Sequence, residues 1–222
     1  MEYLHATLIN SIIDGNIEVQ AGKAIELMVS WAKADFILDS TTISQIKDMI
    51  KAGSFSSCYQ AKGDEGAECH WHTAQEAARY AGQFVINANL VKPYMNKNEL
   101  AIIEKYLVTI YKKYIHPWYF LTGAGVKNIK YGFYQMGHGA ISVIAFAHWN
   151  NDKKLVNDTF KSTLRHINAL ILQDGFINNN SFRGVRGYWY HGLALNNMLG
   201  VLALAEEYNY PISDNIFKKL SN

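Results

Sequence analysis

The chain reads as an all-α protein built of antiparallel helical hairpins, and three observations predict this. Apolar residues recur at three- and four-residue intervals over most of the length, alternating apolar–polar runs of strand type are hard to find, and three prolines with 13% aromatics in 222 residues suit helices better than a turn-rich sandwich. With 49% hydrophobic and 18% charged residues the chain carries enough apolar matter for a sizeable core, which excludes disordered and collagen-like classes. The balance of 21 Lys+Arg against 19 Asp+Glu leaves a net charge of +2, so bulk charge makes no demand for a nucleic-acid partner. Cys58 and Cys69 are too few for a disulfide scaffold. No run approaches the roughly 20 apolar residues of a membrane span, so no membrane partner is expected. The first residues lack the basic and long apolar regions of a secretory signal, so synthesis in the cytoplasm is expected.

The elements follow in order. The patterns over 17–38 and 42–52 read as helices, with Trp31 and Phe36 interrupting the first. The polar, glycine-bearing stretch 53–66, with Tyr59 and Lys62, reads as a loop or a lid. Thr73 and Glu76 have capping-box spacing, and Ala77, Tyr80, Ala81, Phe84 and Ala88 make one face, which predicts a helix over 73–90. Asn96 and Glu99 repeat that spacing ahead of Ile102, Ile103, Tyr106, Leu107 and Ile110, and His116-Pro117 should stop this helix. A further helix is expected over 138–149. The next, carrying Leu155, Val156, Phe160, Thr163, Ile167 and Ile171, should end at Asp174-Gly175, and the last has Leu195, Leu199 and Leu202 at four and three residues. With no linker separating two cores, 1–222 reads as one domain. Such hairpins pack either as a bundle or as an α/α toroid, and periodicity does not choose between them.

Three segments carry chemistry. In the first, 131–139, His138 stands between Gly137 and Gly139 at an expected helix start, after Tyr134 and Gln135. The second, 174–191, gathers Arg183, Arg186, Tyr188, Trp189, Tyr190 and His191 at a helix entrance, where Arg183 and Tyr190, seven apart, share a face if the intervening chain is helical. The third is Glu68-Cys69-His70-Trp71-His72. Alternate residues of an extended loop point the same way, so Cys69, His70 and His72 have the character of metal ligands, but no ligand pair elsewhere completes a site and no metal is expected. A metal-dependent hydrolase built on them is the least favoured reading. Lys127 and Lys130 precede the His138 segment and would attract a polyanion, although a solvated face explains them as well.

Together these segments resemble the alginate lyases of polysaccharide lyase family 5, mannuronate-cleaving enzymes with an incomplete α/α toroid. The resemblance covers about 73–208. It is most specific in Asp174-Gly175 followed by Arg183-Gly184-Val185-Arg186-Gly187-Tyr188-Trp189-Tyr190-His191-Gly192-Leu193-Ala194-Leu195. It implies the toroid for this chain and carries the catalytic histidine to His138, the catalytic arginine to Arg183 and the tyrosine to Tyr190. Where the family has an asparagine directly before the histidine, this chain has Gly137, with Gln135 the nearest replacement amide.

The implied reaction is β-elimination on an acidic polysaccharide, alginate or a related glucuronate polymer, without a cofactor. Its first need is to neutralise the uronate carboxylate, because the proton on C5 is only weakly acidic beside a charged group. The planar fork of Arg183 suits a carboxylate bidentately. A base must take the C5 proton and an acid must protonate the leaving O4. One tyrosine serves both when the two atoms lie on the same face of the sugar, and Tyr190 fits that role. A free phenol near 10 is a poor base at neutral pH, so nearby positive charge, from Arg183, Arg186 or His191, is needed. His138 either helps hold the carboxylate or is the base for the opposite face. Arg186, His191, Trp189, Gln135, Tyr134, His70, His72 and Trp71 are the candidate substrate contacts, the aromatics by stacking on sugar rings. The alternative is a module of the same fold that binds polyuronate with little or no turnover. An extracellular polymer would be met through another export route, lysis, imported oligomers or a viral or phage source.

Overall fold

The computed structural model describes residues 1–35, 70–124, 133–178 and 180–222, without the side chains of 70–74, 121 and 124. The helix expected over 42–52, the loop 53–66, Cys58, Cys69, Lys127, Lys130 and the start of the 131–139 segment lie outside the described residues. Those described are helical, and the β structure among them is a single antiparallel bridge between Ile171 and Ile177. None of their helices is long and apolar enough to cross a membrane. The chain divides into two compact units, Met1–Trp118 and Tyr119–Asn222.

The first unit opens with α1 (Glu2–Ile13), which the sequence reading left unassigned, and α2 (Ile17–Lys33). Between them Gly15 takes φ +68°, and the Gly15 and Asn16 amides close back onto the Ile12 and Ser11 carbonyls at 3.1 and 2.9 Å. This Schellman end needs a left-handed residue that glycine supplies without strain. The following helix, α3, runs His70–Val91 and starts three residues before Thr73. Thr73 therefore lies inside it, and the Glu76 carboxylate is held by Arg79 at 2.6 and 2.9 Å, with Arg79 also paired to Glu2. After a 3₁₀ turn (Lys92–Tyr94) comes α4 (Lys97–Ile110), where the capping box forms as expected. Asn96 accepts the Asn98 and Glu99 amides at 2.9 and 3.0 Å, and Glu99 accepts the Asn96 amide at 2.8 Å.

His116-Pro117 does not stop the chain's helical course. A π turn (Tyr111–Ile115), a short α5 (His116–Tyr119) and a second π turn (Phe120–Ala124) follow directly. The His116 amide reaches back five residues to the Tyr111 carbonyl. This wider turn accommodates a proline that has no amide to donate and whose ring would crowd an α-helical carbonyl. The first unit's core holds Leu8, Met28, Phe84, Ile103, Leu107, Ile110, Tyr114 and Trp118, with Phe84 edge-on to Tyr106 at 5.0 Å.

The second unit is built on α6 (Phe133–Trp149), α7 (Lys153–Leu170) and α8 (Gly187–Glu207), with α9 (Asp214–Leu220) against α7. Helix α6 packs on both α7 and α8. Asn151, at φ +55°, follows the end of α6, and Asp152 caps α7 by accepting the Leu155 amide at 2.9 Å, so a three-residue joint makes the hairpin. Helix α7 ends at Leu170 rather than at Asp174-Gly175. The bridge there forms a tight turn in which Gly175 takes φ +81° and the Leu172 amide donates to the Phe176 carbonyl at 2.8 Å. Along α8 the buried face is Tyr190, Ala194, Met198, Val201, Leu202 and Ala205, while Leu199 is exposed, so the inward stripe lies to one side of the expected one.

Candidate functional site

Helix α6 begins five residues before the expected start, which places His138 in its second turn. The glycines flanking it are therefore helical, and Gly137 serves close packing. A Cβ there would lie 2.5 Å from the Asn197 Cβ on α8 and 2.9 Å from the Phe133 ring. No asparagine fits at 137 with Asn197 where it is. Asn197, seven residues after Tyr190, donates its amide to the Leu193 carbonyl at 3.0 Å and to the Tyr134 carbonyl at 3.4 Å.

The same Tyr134 carbonyl stands 3.0 Å from His138 Nδ1. A carbonyl only accepts, so Nδ1 carries hydrogen and Nε2 holds the lone pair of the neutral ring. Nε2 is buried. The Tyr134 ring packs against Tyr190 with centroids 5.0 Å apart, and the Arg183 guanidinium lies over the other partner of that pair, 4.1 Å from the Tyr190 centroid. Such a cation–π contact contributes about 0.5–2 kcal/mol. Trp189 meets Tyr190 edge-on at 4.8 Å and is 59% exposed, leaving much of its indole open to a ligand. Arg183, Tyr190, Tyr134 and His138 thus form one connected chain of contacts in the second unit.

The backbone that brings Arg183 over Tyr190 depends on two glycines. Gly184 takes φ +57° at the start of a 3₁₀ turn (Gly184–Arg186), and Gly187, the first residue of α8, passes so near the chain that a Cβ would overlap the Ser181 carbonyl oxygen. Arg186 is exposed, its amide donating to the Arg183 carbonyl at 3.3 Å. Among the described residues neither guanidinium pairs with a carboxylate, and no Asp or Glu occurs between 175 and 205. Both are therefore available to an anion.

His191 faces the preceding turn. Its Nδ1 lies 2.8 Å from Ser181 Oγ, which accepts the Ile177 amide at 2.8 Å, and its ring meets Phe176 edge-on at 6.2 Å. It lines a 340 Å³ cavity with Asp174, Phe176 and Leu195. Gln135 is buried on α6. His70, Trp71 and His72 form the first turn of α3 in the first unit, helical rather than in an extended loop, and their side chains lie outside the described ones. Among the described residues no group of three or more His, Cys, Asp or Glu is placed to hold a metal ion.

Two residues that sequence reasoning passed over belong to this constellation. Asn180 is fully buried; its Oδ1 accepts the Phe133 amide at 2.8 Å and its Nδ2 donates to the Tyr190 carbonyl at 3.4 Å. Asn197 is the other, and its seven-residue separation from Tyr190 is the one sequence signal that could have found it, since residues seven apart on a helix share a face. Nothing local marks Asn180 within Asn178-Asn179-Asn180. No protein-family model, curated protein or solved structure matches the chain.

Proposed function

We propose that the chain is a polysaccharide lyase that cleaves a 4-linked polyuronate by β-elimination, with the second unit's helices belonging to an incomplete α/α toroid. The observation that supports it most is the Arg183 guanidinium 4.1 Å over Tyr190, in contact through Tyr134 with His138. A cation beside a phenol, with an imidazole joined to them through Tyr134, supplies the kinds of group this reaction needs. Arg183 pairs with the uronate carboxylate and makes the C5 proton more acidic. In the same-face course the Tyr190 phenolate takes that proton, the C5–H electrons form the C4–C5 double bond, the C4–O4 bond breaks, and the tyrosine returns the proton to O4. In the opposite-face course His138 Nε2 would take the proton and Tyr190 would protonate O4, and the burial of Nε2 favours the same-face course over it. Arg186 extends the cationic edge, and Trp189 and Tyr188, both exposed, offer flat faces to flanking sugars.

A binding module without turnover is favoured by one observation. Position 137, where the lyases this chain resembles carry an asparagine, is a glycine here, and both amide hydrogens of the neighbouring Asn197 go to main-chain carbonyls, so that amide offers a carboxylate no donor. The deciding measurement is ultraviolet absorbance of the new double bond during incubation with polymannuronate, polyguluronate, glucuronan and hyaluronan in turn. Absorbance should rise on at least one polymer, and Tyr190→Phe should lower that rate at least about 100-fold while leaving binding intact. Binding by calorimetry with no rise on any polymer would establish the module instead.

A further inference from the structure

We propose that Asn180 is a positioning residue that holds the His138 helix and the Tyr190 helix in register; the catalytic part of this rests on the lyase reading. Asn180 belongs to neither helix, yet one side-chain amide touches both. Its Oδ1 accepts the first amide of α6, at Phe133, and its Nδ2 reaches the carbonyl of Tyr190 itself on α8. The first amides of a helix have no intrahelical acceptor, so this bond fixes where α6 begins. Tyr134 follows Phe133 directly, and its ring meets Tyr190 while its carbonyl holds His138. A shift of α6 along α8 would therefore move the two tyrosine rings and the imidazole together.

The residue type suits this task. Only an amide offers a planar acceptor and donor on one short side chain; a carboxylate accepts only, and a leucine does neither. At 0% exposure an amide is costly unless both ends are bonded, so one that serves only to fill space would be better replaced by an apolar residue. Displacement of reacting groups by about 1 Å lowers rates by up to about a hundredfold.

The test compares wild type with Asn180→Asp, which keeps the acceptor and loses the donor, and Asn180→Leu, which loses both. In folded variants the Phe133 amide should keep its protection from hydrogen exchange in the Asp form and lose it in the Leu form. Ring-proton shifts of Tyr134 and Tyr190 should move in both. On the polymer that wild type cleaves, kcat should fall about ten- to hundredfold with KM changed less than threefold. Unmoved tyrosine signals, or full kcat in a folded Leu variant, would overturn the proposal. So would loss of fold in both variants, which would make Asn180 a folding residue. If wild type cleaves no polymer, the lyase reading fails separately, and the exchange and ring-proton signals still decide the register.

Discussion

At Gly137 the helices α6 and α8 come close enough that one added methyl would meet both the Asn197 Cβ and the Phe133 ring. A mid-helix Gly→Ala change ordinarily gains about 1 kcal/mol of helix propensity. Here overpacking of about 1–3 kcal/mol opposes it, because the nearest atom belongs to the stem of Asn197 and cannot swing aside. Gly137→Ala should therefore lower the melting temperature, and adding Asn197→Gly should recover part of the loss by removing the colliding atom. A Gly137→Ala protein as stable as wild type would contradict the close contact. Arg183, Tyr190 and His138 were legible only through the resemblance, which carries a family's residues onto two separate segments; the structure links the three through Tyr134. The sequence did not explain Gly137, whose reason is a neighbour sixty residues away on another helix, nor single out Asn180, whose two bonds are both long-range.

Element boundaries were legible where the stopping or starting chemistry was local. The α4 capping box is a bond between residues three apart, and the structure forms it; Asn96→Ala should cost about 0.5–2 kcal/mol, read as a lower denaturation midpoint. An unchanged midpoint would mean that tertiary packing alone fixes the start of α4. The same spacing at Thr73 misled because α3 is already under way at His70 and Arg79 claims the Glu76 carboxylate. Helix α6 starts earlier than its local sequence implies for the complementary reason: its first amide is satisfied by Asn180, so no capping residue needs to stand beside it in sequence. Pro117 does not end the helical course, because a π turn absorbs it.

For the molecule as a whole, the all-α class was legible because burial of one face of each helix imposes the three-and-four spacing everywhere, whatever the tertiary arrangement. What patterning cannot reveal is a polar group sunk into an apolar face. His166 on α7 is such a group, 1% exposed, its Nδ1 donating to the Ser162 carbonyl at 2.8 Å and its Nε2 buried without a hydrogen-bond partner among the described residues. Burial lowers its pKa below the ordinary value of 6.5; the Ser162 carbonyl pulls the other way, and the Arg165 charge lowers it further. The folded state therefore resists taking a proton that the unfolded chain accepts once pH drops below about 6.5. The stability tied to the neutral ring is fully present above that pH and is lost as pH falls through the unfolded value toward the lowered folded one. Denaturation midpoints should decline between about pH 7 and 5, and His166→Leu, which fills the site without a titrating group, should flatten that part of the decline. Equal slopes in the two proteins would show that His166 takes up its proton as readily folded as unfolded, and that its burial does not set the acid limit of the second unit.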